Sequence, residues 1–81
     1  MDTENLVKMA NNIGQFFSAE PDTEAAIGGV ADHLKRFWEL RMRLAIIKHY
    51  QTGGAGLSVI SKAAVARLVA EQEKLVNTGD G

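Results

Sequence analysis

The chain has 81 residues, which is room for one small domain and no second. Its 46% apolar and 23% charged content is that of a globular protein and too apolar for a disordered one. With no cysteine, disulfide frameworks, thiol nucleophiles and cysteine-ligated zinc or iron–sulfur sites are excluded. His33 and His49 are the two imidazoles, and no acidic residues surround them at metal-ligand spacing, so no metal site is expected. Apolar runs are too short to span a membrane. Met1-Asp2-Thr3-Glu4 lacks the apolar core of a signal segment, which predicts a cytoplasmic protein.

The net charge of −1 hides a segregation. Residues 1–32 carry Lys8 against six carboxylates, a balance of −5. Residues 33–67 carry seven cations against Glu39 alone, or +6, and residues 68–81 return to −2. Two readings weigh equally. Either the basic centre meets an anionic partner, or an acidic first helix lies against a basic middle and neutralises it.

Every segment reads as helix and none alternates with period two, so an all-α bundle of four helices is predicted, near 3–18, 22–38, 40–51 and 58–76. One helical domain would fill 1–81, ordered over about 3–76, with a polar tail at 77–81. In the first helix Asp2 or Thr3 caps the start. Leu6, Met9, Ala10, Ile13, Phe16 and Phe17 share one face, and Pro21 forces an end near Ser18.

Asp22 or Thr23 caps the second helix, whose stripe is Ile27, Val30, Ala31, Leu34, Phe37, Trp38 and Arg41. Gly28 and Gly29 inside it each cost about 1 kcal/mol relative to alanine. Close approach of a neighbouring helix and a local kink both explain them. The third segment, Leu40 to Gln51, is apolar on two sides: Met42, Ala45, Ile46 and Tyr50 on one, Leu40, Leu44 and Ile47 on the other. A chain this small cannot easily bury both, which favours a partner. Thr52-Gly53-Gly54-Ala55-Gly56 stops that helix and Ser58 caps the fourth, with its stripe at Ile60, Ala64, Leu68, Val69, Leu75 and Val76. The glycine cluster has no preceding strand and no lysine–serine completion, so it reads as a connector and not a phosphate loop.

No catalytic site is predicted. Ser18, Ser58 and Ser61 have no placed base, His33 and His49 sit at the margins of apolar faces, and Glu71 and Glu73 point in different directions. The richest stretch is Arg36-Phe37-Trp38-Glu39-Leu40-Arg41-Met42-Arg43. Tryptophan and arginine are enriched in binding hot spots, so Arg36, Trp38, Arg41, Met42 and Arg43 are the predicted partner contacts, while Phe37 is assigned to the core.

These residues carry a resemblance. Leu6–Phe17 (LVKMANNIGQFF), Ala31–Trp38 (ADHLKRFW), Arg41-Met42-Arg43, Gly53-Gly54-Ala55-Gly56-Leu57 and the helix around Ala63–Leu68 resemble, in order and spacing, the small delta subunit of NAD-dependent, molybdenum-containing formate dehydrogenases. Where the family has Asp-Pro after the tryptophan this chain has Glu39-Leu40, which predicts that helices two and three run nearly continuously. Where it has a second Asp-Pro, Ser58-Val59 preserves the cap.

The resemblance implies a non-catalytic accessory or assembly component, with no cofactor of its own. It would dock on the molybdenum-binding alpha subunit of a complex that also contains beta and gamma subunits. The alternatives are a homodimeric helical scaffold and a nucleic-acid module using the basic centre 35–48. Against the latter stand a sequence pI of about 6.1 and the absence of a turn-and-recognition-helix pattern.

Overall fold

The computed structural model describes residues 2–79, and side chains through Gln72. Among the described residues the chain forms four helices and no strand: α1 (Thr3–Phe17), α2 (Thr23–Phe37), α3 (Leu40–Gln51) and α4 (Val59–Gly79). None is long and apolar enough to cross a membrane. The Asp2 and Asp22 carboxylates accept from the backbone N–H of Glu4 and Glu24, at 3.1 and 3.0 Å. Ser58 Oγ accepts from Ser61 N–H at 3.2 Å. Each bond satisfies a first-turn donor that has no helical acceptor.

Helix α4 runs to Gly79, beyond the expected stop near residue 76. Of the expected polar tail, Asp80 and Gly81 lie outside the described residues, as do the side chains of Leu75 and Val76 in the predicted stripe. The anticipated continuity of the second and third helices is not observed. Trp38 and Glu39 are both extended, with ψ of 138° and 155°, and they separate α2 from α3. No side chain caps α3, so the chain makes this break without the Asp-Pro start.

Helix α4 packs on all three others, and α2 packs on α4 and α1 more than on its neighbour in sequence, α3. The core between them contains Leu6, Ala10, Val30, Leu34, Ile46 and Val65. Two close approaches define the seam around α1. A Cβ on Gly29 would stand 2.6 Å from the Phe17 ring, so close approach, the first of the two explanations, accounts for that glycine. A Cβ on Gly14 would stand 2.6 Å from Ser61 Oγ. That hydroxyl is fully buried and donates to the Ala10 carbonyl at 2.9 Å.

The connector from α3 to α4 is fixed on the same side. Gly53, Gly54 and Gly56 hold positive φ, and Gly54 N–H closes onto the His49 carbonyl. The Asn11 side chain donates to Gly56 O and accepts from Ser58 N–H, each at 2.9 Å, and so ties the loop to α1. His49 Nε2 lies 2.8 Å from Ala55 O.

Candidate docking surface

The expected division of α3 into two apolar sides has a structural counterpart. Ile46 is buried, with Met42, Ala45 and Tyr50 half-buried against the core. On the other side Ile47 is buried at the margin, while Leu40 is 60% exposed and Leu44 42%. Leu40, Leu44 and Ile47 line a groove of about 380 Å³ with Leu68 and Gln72 of α4, rimmed by Lys35, Arg43 and Glu71. Lys35 Nζ meets the Glu71 carboxylate at 3.0 Å across that rim.

The five predicted contact residues separate. Arg36 pairs with Asp32 one turn back on α2 at 2.9 Å, an exposed pair worth about 0–1 kcal/mol. Met42 packs against the core. Arg43 reaches back from α3, and its Nη1 donates to the carbonyls of Lys35 (2.7 Å) and Trp38 (3.3 Å). It thereby satisfies a carbonyl in the last turn of α2 and places a cation at the negative end of that helix. Arg41 is exposed and makes no hydrogen bond or ion pair among the described residues.

The two aromatics exchange the places expected for them. Trp38 is 6% exposed and belongs to the core, which leaves its indole little surface to offer a partner. Phe37, assigned to the core from the stripe, is 71% exposed, its ring 4.7 Å from that of His33. Position on the stripe accounts for the exchange. Trp38 N–H still bonds the Leu34 carbonyl one turn back, which keeps its side chain on the buried Leu34 edge of α2, while Phe37 follows His33 on the outer margin.

The groove residues Lys35, Leu68 and Glu71 were not among the predicted contacts. Leu40 and Leu44 were recognised as an unburied side of the third helix, but the aromatic–arginine density nearby drew the prediction away. Lys35 and Glu71, 36 residues apart, carry no sequence signal that they meet.

Internal neutralisation is partial. Of the cations in 33–67, Lys35, Arg36 and Arg67 pair with Glu71, Asp32 and Glu24. These carboxylates belong to α2 and α4, so the acidic first helix is not the counter-charge among the described ion pairs. Helix α3 carries Arg41, Arg43 and Lys48 and no carboxylate. Among the described residues no group of three or more His, Asp or Glu could hold a metal.

The structure is thus a small helical domain with an ordinary core, an uncovered apolar helix face and cations beside it. The chain belongs to the family of NADH-dependent formate dehydrogenase delta subunits (FdsD), whose model matches residues 5–65. No curated protein and no solved structure matches the chain significantly.

Proposed function

We propose that this chain is a non-catalytic accessory subunit of an NAD-dependent formate dehydrogenase in the cytoplasm. It docks on the molybdenum-binding catalytic subunit and either stabilises it or helps it receive its cofactor, and it holds no cofactor itself. Membership of the delta-subunit family is the observation that carries this reading. The physical setting agrees with it. Below about 70–80 residues a single core rarely supplies more than ~3–5 kcal/mol and a partner commonly completes such a domain, and this chain, at 81, stands just above that range. The apolar outer face of α3 supplies the surface for that completion.

The test is co-purification from the native host together with deletion of the gene. A tagged copy should retain the molybdenum-containing subunit, and the deletion should lower the yield or the molybdenum content of that subunit. If the tag retains no such subunit, the reading is wrong. The purified chain alone should oxidise no formate and keep no stoichiometric metal through dialysis.

A further inference from the structure

We propose that the groove between α3 and α4 receives about two turns of an amphipathic helix from the partner, apolar on its inner side and carrying carboxylates beside it. This rests on the docking function above and assigns the surface and the chemistry of its occupant.

The floor sets the shape. Leu40, Leu44 and Ile47 stand at i, i+4 and i+7 on α3, and they cover about 10 Å of helix axis at 1.5 Å per residue. Leu68 of α4 closes the far side. A trough between two helices, floored at that spacing, accepts the ridge of a third helix, and helix-in-groove recognition uses anchors at the same spacing.

The charge selects the occupant. On the floor-forming helix the charged residues are Arg41, Arg43 and Lys48, all cations. Glu71, the carboxylate lining the groove, is already held by Lys35. Arg43 is bonded to two carbonyl oxygens at the end of α2 and to no carboxylate among the described residues. Arg41 is open to an incoming carboxylate. A second copy meeting this face about a two-fold axis would bring Arg41 and Lys48 of each α3 against those of the other, an isologous contact disfavoured by like charge. A segment with acidic flanks meets Arg41 and Lys48 as attractions, with Glu39 at the start of α3 as the carboxylate standing beside Arg41.

The experiment uses the tagged full chain and the large subunit it retains. Leu44→Asp places a charge on the groove floor and Arg41→Glu reverses the open cation. Each should lower the affinity for the large subunit roughly 30-fold or more if its residue is a hot spot. Phe16→Ala, at an exposed ring on α1, should leave it unchanged. Melting curves of the free variants check folding, and should Leu44→Asp unfold, Leu40→Gln and Arg41→Glu decide the outcome.

Because the chain has no cysteine, Leu44→Cys provides a single attachment point for a thiol-reactive photo-crosslinker. The expected adduct lies on a helical, acid-flanked apolar segment of the large subunit. An adduct on a second copy of this chain, or on a segment without carboxylates, overturns the proposal. If wild type retains the large subunit and folded groove variants retain it equally well, the groove assignment fails while the docking function stands. If wild type retains nothing, the function itself fails.

Discussion

The seam of α1 with α2 and α4 and the outer face of α3 are built on opposite terms. At the seam Gly14 and Gly29 admit neighbours to within 2.6 Å of where a Cβ would be, and Ser61 and Asn11 spend their polar groups on backbone partners. On the outer face of α3, Leu40 and Leu44 stand open to water beside an arginine without a partner among the described residues. A side chain at the seam is therefore answerable to folding. One on the open face can change with little effect on folding.

The sharpest way to break this comparison is Trp38, which the sequence assigns to contact and the structure to the core. Trp38→Ala should destabilise the free chain by about 3–5 kcal/mol, enough to unfold a domain of this size at ambient temperature. Circular dichroism showing a native helical signal with an unchanged melting curve would return the indole to the surface. Phe37→Ala, one residue away and exposed, should stay within about 0.5 kcal/mol of wild type.

The seam itself is tested by a coupled pair. Gly14→Ala drives a methyl onto Ser61 Oγ and should cost about 1–3 kcal/mol as overpacking. Ser61→Ala removes the second donor to the Ala10 carbonyl and the acceptor of the Ser58 hydroxyl, at about 0.5–1.5 kcal/mol per bond. The double variant should be less damaged than the sum, because removing the hydroxyl makes room for the new methyl. Additive losses in denaturant titrations would mean that the two residues do not meet.

Arg43 lies between the two regimes. Its bonds to Lys35 and Trp38 carbonyls tie the start of α3 to the end of α2 at a junction that has no N-cap side chain. Arg43→Ala should cost about 1 kcal/mol, near the usual net value of such a bond, seen as a lower melting temperature. A loss of partner affinity with no change in melting would instead give Arg43 the contact role read from the sequence.

Much of the fold was legible because helix signals are local. Asp2, Asp22 and Ser58 cap as their residue types require, Pro21 and the glycine loop separate the elements, and the two-sided pattern of α3 announced an uncovered face. What depended on tertiary geometry was not legible. The α2 stripe counts both Phe37 and Trp38 as interior, and the packed bundle, which covers the Leu34–Trp38 edge and leaves the His33–Phe37 edge open, decides between them. The recruitment of Arg43 by carbonyls of the preceding helix, and of Lys35 by Glu71, needs the bundle in place before either partner is visible.

The smallest expected effect tests the open face most directly. If Leu40 and Leu44 contribute little to the core, Leu40→Gln and Leu44→Gln should each leave stability within about 0.5 kcal/mol, as surface substitutions usually do. For a domain of this size that is a shift of ~2–4 °C in Tm. Leu44 is the stricter of the two, being less exposed and adjacent to Ile47 on the groove floor. Ile47→Ala supplies the internal contrast: it is buried, and a truncation there should cost about 2–5 kcal/mol. Should Leu44→Gln fall with Ile47→Ala, the core reaches further out along α3 than its exposure indicates. Should it melt with wild type, Leu44 is held on the surface by no folding requirement, and an apolar side chain there is explained by what covers it.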